Sequence, residues 1–295
     1  MADAEAARGL GGRILLFGRM VRFSHSVFAL PFALAGVLFA GRAHGSFPGI
    51  EVWFWVIVAM VSARTAAMAF NRIVDRRIDA ANPRTRDREL PRGALSPATA
   101  WVLTLVAAAV FVLAAARLNP LALALSPLAL AIVGFYSFTK RFTWASHLFL
   151  GLGLAVAPVG GWVAATGRLE ATPFVIALGV LAWVAGFDIF YALQDLEFDR
   201  THGMHSLPAR FGVTGAFRAA RGLHVLAVLA LAAPAAILDL SGWYLVGIAV
   251  IAGVLAYEHR LVAPGDLRRL DRAFFDMNAV VSMIFLAAAA AGVFL

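Results

Sequence analysis

Two groups of polar residues with the same spacing stand out in this chain. The first contains Asn71, Asp75 and Asp79, and the second contains Asp195 and Asp199. Residues four apart share one face of a helix, so each group predicts a polar stripe. Carboxylates that converge repel one another, and a divalent cation relieves that repulsion. Because oxygen ligands suit Mg²⁺, which bridges carboxylates to substrate phosphates, we predict that all five bind Mg²⁺ and that the four aspartates are catalytic.

Basic residues surround these acids and indicate an anionic, phosphate-bearing substrate. Arg72 and Arg76 interleave with the first group, and Lys140 and Arg141 lie between the two groups along the chain. Lys140 is the single lysine of the chain, and a compact ammonium suits a phosphate oxygen. Tyr136, one turn earlier, would add a hydroxyl. We predict that these five side chains bind a diphosphate, although membrane anchoring alone would also explain the lysine and the tyrosine.

The elements that position these side chains are predicted to be membrane helices. The chain is 62% hydrophobic and 14% charged, whereas ordinary soluble domains are about 25% charged. Nine stretches approach the roughly 20 apolar residues that a span requires, and no strand-like alternation is present. The predicted fold is therefore an all-α polytopic bundle of nine transmembrane helices. The predicted spans are 21–41, 50–71, 98–117, 119–138, 146–166, 172–194, 221–238, 242–259 and 274–294.

The distribution of charge predicts the orientation in the bilayer. Of the 25 basic residues, 21 lie before or at the start of the first span, or in or at the edge of the loops after spans 2, 4, 6 and 8. This asymmetry follows the positive-inside rule, so the N-terminus is predicted to be cytoplasmic and the C-terminus outside. It also explains the net charge of +8 without a nucleic-acid partner. Loops 72–97 and 195–218 resemble each other, because each contains paired aspartates followed later by a Leu-Pro. Either internal duplication or chance explains this likeness.

Three motifs resemble the UbiA superfamily of intramembrane aromatic prenyltransferases. They are the Asn71-x₃-Asp75-x₃-Asp79 run with its basic loop, YSFTKR after span 4 and YALQDLEFD after span 6. The resemblance covers nearly the whole chain as a single domain, 1–295, and is strongest to the 4-hydroxybenzoate polyprenyltransferase-like branch. It implies a central cavity open laterally to lipid, with a cytoplasmic cap formed by loops 72–97 and 195–218 after a basic lead-in, 1–20.

The resemblance also implies an activity and roles for the motif residues. The activity is Mg²⁺-dependent transfer of a polyprenyl group from a polyprenyl diphosphate to a hydroxylated aromatic carboxylate, most simply 4-hydroxybenzoate. The alternative acceptor is 1,4-dihydroxy-6-naphthoate, which carries the same two functional groups. By motif, the Asn and Asp residues would hold Mg²⁺ and the diphosphate, while Arg72, Tyr136 and Lys140 would contact the diphosphate directly. The expected location is the inner membrane of a bacterial or archaeal-type cell.

An aromatic carboxylate needs a cation away from the diphosphate. Arg22 and Arg64 are the candidates, and Asp188, two turns before the second group, would orient or deprotonate the acceptor hydroxyl. Burial with a structural partner is the alternative for Arg64, and His25 is more simply structural. The chain lacks the Lys-Pro that many family members carry after the first-span arginine. An ion-coupled transporter is the rival class, although here the acids cluster at one membrane face.

Overall fold

The structure is a computed structural model that describes residues 9–21, 28–261 and 270–295. These ranges are almost entirely helical and contain no strand, which confirms the predicted all-α class. A single turn of 3₁₀ helix, Leu193–Asp195, connects two of the α-helices. The α-helices are α1 (Leu10–Met20), α2 (Leu30–His44), α3 (Ile50–Val74), α4 (Arg76–Ala81), α5 (Pro97–Leu118), α6 (Pro120–Thr139), α7 (Ser146–Thr166), α8 (Ala171–Ala192), α9 (Leu196–Thr201), α10 (Leu207–Ala232), α11 (Pro234–Ile237), α12 (Gly242–Leu261) and α13 (Leu270–Phe294).

The long helices are built to lie in a bilayer. Within the described ranges, eight helical segments are long and apolar enough to span a membrane, and α2 is a shorter apolar helix of 15 residues. Together they overlap the nine predicted spans, although α2 begins at Leu30 and residues 22–27 of the predicted first span, 21–41, lie outside the described ranges. Large aliphatic side chains on their outer faces are well exposed, for example Leu105 (62%) and Leu229 (64%). Such an apolar exterior suits contact with lipid, so the protein is an integral membrane protein.

Polar caps explain where two of the spans begin. The Ser96 hydroxyl accepts a hydrogen bond from the backbone N–H of Thr99 at the start of α5. Asn119 Oδ1 accepts from the backbone N–H of Ala122 at the start of α6, and its amide donates to the carbonyl of Val163 on α7. A proline follows each cap residue at the first helical position, where no N–H is needed. These caps satisfy backbone groups at the two ends of the bundle: Ser96 lies at the end that carries the acidic residues, and Asn119 lies at the opposite end.

Helices α2 and α7 form the centre of the bundle and approach each other closely. A Cβ on Gly161 of α7 would collide with the carbonyl oxygen of Ala33 on α2. On one side of this pair, aromatic side chains that include Phe32, Trp183 and Phe285 fill an apolar core with α8, α10, α12 and α13. On the other side the same two helices line a cavity. Small residues therefore let the backbones meet, and the bundle divides into a packed half and a hollow half.

The loop predicted at 195–218 is largely helical, which corrects its bounds. Helix α10 begins at Leu207, although the predicted span began at 221. Its start is capped by Ser206, whose hydroxyl accepts from the backbone N–H of Ala209 at 3.3 Å. The first turns carry arginines, so a search for apolar runs misses them. A kink at Gly212, with φ 70°, separates the first turn, which contains Arg210, from the rest of the helix, where Arg218 and Arg221 precede the apolar stretch.

Candidate active site

A cavity of about 490 Å³ runs along the inside of the hollow half of the bundle. Its walls come from α2, α3, α5, α6, α7 and α8. At one end lie charged side chains such as Arg84, Arg88 and Asp199, whereas Leu118 and Val163 line the opposite end. The length between them is mostly apolar. This shape suits an amphiphile with an anionic head and a long hydrocarbon tail.

The first polar group lies at the charged end of this cavity. The Asn71 amide donates a hydrogen bond to Asp75 Oδ2 at 2.9 Å. Helix α3 ends at Val74 and α4 starts at Arg76, so the predicted stripe bends at Asp75 rather than continuing straight. Arg141 Nη2 donates to Asp75 Oδ1 at 3.1 Å. Beyond the bend, Arg88 Nη1 donates to Asp79 Oδ1 at 2.7 Å.

The second group faces the first across the same end of the cavity. The Arg84 guanidinium donates two hydrogen bonds to the Asp195 carboxylate, one from Nε to Oδ1 at 2.8 Å and one from Nη2 to Oδ2. The Asn82 amide adds a third at 3.0 Å, and Arg84 Nη1 donates to the hydroxyl of Tyr191 at 2.9 Å. Asp199 is 3% exposed. The structure thus brings all five predicted metal ligands to one cavity, together with partners that the sequence did not predict.

The donor set of this site fits a hard divalent cation. Among the described residues, Asp79 Oδ2 and Asp199 Oδ2 are buried and have no hydrogen-bond partner. A buried carboxylate oxygen without a partner is costly, and a cation between the two groups would remove that cost. Within the described part of the chain, no three or more carboxylates or histidines lie close enough together to chelate an ion by themselves. Mg²⁺ is compatible with so few protein ligands because it takes its other oxygens from waters and phosphates.

Three of the predicted diphosphate-binding side chains also line the cavity: Lys140, Arg72 and Tyr136. Lys140 caps the end of α6, and its ammonium is close enough to Asp75 and Asp195 to act on both electrostatically. Arg72 is 8% exposed. A cation between the two acidic groups is well placed to hold an anion bridging them.

Arg76 lies elsewhere, and its predicted role does not fit this geometry. It is exposed and borders a separate cavity of about 260 Å³ with Ile73, Leu90 and Trp101. The change of helix direction at Asp75 turns the next residue away from the polar stripe. Arg141 does not line the main cavity either, but it reaches the site through its hydrogen bond to Asp75.

Burial and pairing shift two ionisable groups at the mouth of the cavity. Burial raises the pKa of the Asp75 carboxyl, and the hydrogen bond from Arg141 only partly offsets this. Burial alone would lower the pKa of the Arg84 guanidinium, but its hydrogen bond and attraction to Asp195 raise it overall. The Asp75 carboxyl is therefore more easily protonated than a free carboxyl, a shift that a nearby cation would oppose, whereas Arg84 stays charged.

Two of the predicted acceptor-binding residues line the cavity. Arg64 is on α3, about two turns from Asn71, and its Nη1 donates to the carbonyl of Val21 at 3.1 Å. Asp188 is on α8, and its Oδ2 is 2.7 Å from His147 Nδ1. His147 was not predicted as part of the site.

The remaining candidates near the first span, Arg22 and His25, lie outside the described residues. The backbone partner of Arg64 directly precedes Arg22. Arg64 thus has a structural contact and also faces the cavity, so the two readings of its role are compatible.

Comparison with known proteins identifies the family. The sequence model described as "UbiA prenyltransferase family" matches residues 29–290. The chain belongs to the UbiA prenyltransferase family. This confirms the resemblance seen in the acidic motifs and makes the protein an aromatic prenyltransferase of the membrane.

Individual relatives of this UbiA family member agree in sequence and fold. A 4-hydroxybenzoate octaprenyltransferase from Cupriavidus necator is 31% identical over 284 residues, which cover 95% of this chain and 98% of the relative. An apo structure of a UbiA homologue from Aeropyrum pernix K1 is 35% identical with a TM-score of 0.82, covering 91% of this chain and 98% of that one. A UbiA homologue from Archaeoglobus fulgidus bound to GPP and Mg²⁺ has a TM-score of 0.70 at 18% identity, covering 95% and 100%, and supports the fold alone.

Proposed function

We propose that this protein transfers a polyprenyl group from a polyprenyl diphosphate to 4-hydroxybenzoate. The observation that carries the proposal is a single cavity with carboxylates and guanidinium groups at one end and apolar walls along the rest. The charged end suits a diphosphate and the apolar length suits its prenyl chain. The name of the Cupriavidus necator relative supports 4-hydroxybenzoate as the acceptor.

The diphosphate binds between the two acidic groups in this proposal. Asn71, Asp75, Asp79, Asp195 and Asp199 are the Mg²⁺ ligands, and bound Mg²⁺ supplies Lewis-acid stabilisation of the leaving diphosphate. The Mg²⁺ bound to the Archaeoglobus fulgidus homologue supports this choice of ion. Lys140, Arg72 and Tyr136 donate to the diphosphate oxygens. Arg84 and Arg88 join this set, because both line the cavity beside the carboxylates.

These donors lower the barrier to ionisation of the substrate. Cleavage of the C–O bond sends its electron pair to the diphosphate and leaves an allylic carbocation. Positive side chains preorganised around the diphosphate stabilise the charge that develops on it. The apolar walls next to the charged end, which include Val184 and Phe187, keep water away from the carbocation. A ring face such as that of Phe187 also stabilises a cation electrostatically.

The acceptor then attacks from the inner side of the charged end. Arg64 pairs with its carboxylate, and Asp188 accepts a hydrogen bond from its hydroxyl. This hydrogen bond increases electron density on the ring, so the carbon ortho to the hydroxyl forms the new C–C bond. Loss of the proton from that carbon restores the aromatic ring.

The position in the cell follows from the charge pattern as part of the same proposal. The charged end of the cavity faces the cytoplasm, with the N-terminus cytoplasmic and the C-terminus outside. Segments 72–97 and 195–206 cap this end, and the whole chain, 1–295, acts as one domain in the inner membrane. Labelling of single cysteines introduced at either end of the bundle in sealed vesicles tests this orientation.

The experiment for the activity uses the purified full chain in lipid nanodiscs with Mg²⁺ and octaprenyl diphosphate. We expect prenylated product with 4-hydroxybenzoate, and loss of product in Asp75→Asn and Asp195→Asn. Asp239→Asn is the matched control, because Asp239 is an exposed acid at the opposite end of the bundle. Product with 1,4-dihydroxy-6-naphthoate only would overturn the acceptor. Full activity in both cavity variants would overturn the whole proposal.

A further inference from the structure

A buried histidine joins the acceptor side of the cavity to the segment that carries the second acidic group. His147, near the start of α7, is 1% exposed. Its Nδ1 is 2.7 Å from Asp188 Oδ2, and its Nε2 is 3.3 Å from the backbone nitrogen of Leu207. None of the three motifs that carry the family resemblance contains this histidine.

The two contacts determine which ring nitrogen of a neutral histidine carries the proton. The backbone N–H of Leu207 is a donor, so Nε2 must present a lone pair to it. The single ring proton is then on Nδ1, where it is donated to Asp188. An imidazolium would carry a proton on both nitrogens and lose the contact to Leu207. In the neutral ring, the surrounding groups therefore select the tautomer with the proton on Nδ1.

The contacts of His147 also connect the proposed metal site to the proposed acceptor site. Ser206 hydrogen-bonds to the Asp199 carboxylate, and Leu207, the next residue, donates to His147. A series of contacts therefore connects Asp199 to Asp188 through the adjacent residues Ser206 and Leu207 and the imidazole of His147. Asp188 Oδ2 is held by His147, and the carboxylate lines the cavity, so Oδ1 is the oxygen available to the acceptor.

We propose that His147 is a positioning residue for the acceptor step, which orients Asp188 and ties it to the start of α10. The inference rests on the proposed function, because it requires Asp188 to meet the acceptor hydroxyl. A carboxylate held by one hydrogen bond on its far oxygen presents the other oxygen in a fixed direction. Supporting hydrogen bonds of this kind tune the groups that contact a substrate.

Two substitutions separate the two contacts of His147. In His147→Asn the amide nitrogen takes the place of Nδ1, so the donor to Asp188 is kept and the acceptor for Leu207 is lost. In His147→Gln the amide oxygen reaches the place of Nε2, so the acceptor for Leu207 is kept and the donor to Asp188 is lost. We expect His147→Gln to raise KM for the acceptor or lower kcat by about 10- to 100-fold, the size expected for a lost hydrogen bond to a charged group.

The expected pattern is a difference between the two variants that appears only in acceptor kinetics. His147→Asn should stay within about threefold of the unsubstituted protein, and KM for the polyprenyl diphosphate should be unchanged in both variants. The reverse order, with His147→Asn impaired and His147→Gln active, would show that the histidine serves only the helix start and would overturn the inference. Equal activity of both variants and the unsubstituted protein would overturn it as well.

A third variant keeps the test decisive if a His147 variant fails to fold. Asp188→Asn should reproduce the acceptor defect of His147→Gln and leave KM for the diphosphate unchanged. If acceptor kinetics in Asp188→Asn match those of the unsubstituted protein, His147 has nothing to act through and the inference fails. Failure of the proposed function is distinct, since the unsubstituted protein would then form no prenylated product from any acceptor tested.

Discussion

The two acidic segments are alike in spacing but differ in where their counter-charges come from. In the first segment (residues 71–92), Asp79 is paired with Arg88 from the same segment. In the second (residues 188–207), Asp195 is paired with Arg84 of the first segment, while Asp199 meets the hydroxyl of Ser206. The first segment therefore supplies positive charge for both, with Arg141 from outside the two segments paired to Asp75, and the second segment supplies the link to the acceptor side. The two segments therefore share a spacing of aspartates but make different contacts.

The largest effect is expected from the two carboxylates that line the cavity and, among the described residues, have a buried oxygen without a hydrogen-bond partner. Asp79→Asn and Asp199→Asn, one in each segment, should each reduce kcat/KM by about 1000-fold, because each removes charge from the proposed metal site. Product formation at saturating Mg²⁺ measures the effect. If one variant keeps a tenth or more of the activity, the metal is held by the other segment alone.

The pairing across the segments is tested by Arg84→Gln. Loss of the two hydrogen bonds to Asp195 should lower the free energy of unfolding by about 1–2 kcal/mol, a value reduced for the partly exposed arginine. Thermal unfolding in detergent measures this change. Arg86→Gln is the matched control, because Arg86 is an exposed arginine of the same segment. Saturating Mg²⁺ should reduce the difference between the two variants, since the cation takes over the neutralisation of Asp195.

The role of Arg64 in binding the acceptor is tested next; Arg64 is on α3, the helix that precedes the first segment. Arg64→Gln should raise KM for the acceptor by about 10- to 100-fold and leave KM for the polyprenyl diphosphate unchanged. Arg117→Gln is the control, because Arg117 lies at the opposite end of the bundle over the ring of Trp55. Unchanged affinity of Arg64→Gln for the acceptor would remove this arginine from acceptor binding and leave it a structural role only.

The smallest effect is expected at the arginine that the bend at Asp75 excludes from the cavity. Arg76→Gln should keep steady-state kinetics within about twofold, as expected for an exposed substitution away from the site. A tenfold rise in KM for the diphosphate would show instead that Arg76 reaches the substrate.

Local spacing was enough to predict the helices and the gathering of the five ligand candidates, because a four-residue repeat defines one helix face. It could not predict partners from distant parts of the chain. Asn82 and Tyr191 meet Arg84 and Asp195 only because the turn after α4 folds over the second segment. His147 shows the same limit, since a lone histidine in an apolar run gives no sign of its partner.

The start of α10 was missed for a different reason. Its first turns carry arginines and are placed by the Ser206 cap rather than by hydrophobicity. A polar helix start next to an apolar span therefore reads as a loop when only apolar runs are counted.

The most direct test of the account follows both products of one reaction. Purified protein in nanodiscs is mixed with octaprenyl diphosphate and 4-hydroxybenzoate, and free diphosphate and prenylated product are measured together with and without Mg²⁺. We expect the two products to appear in equal amounts and only with Mg²⁺, and we expect Asp195→Asn to abolish both. Product formed without Mg²⁺, or at the same rate in Asp195→Asn, would contradict it.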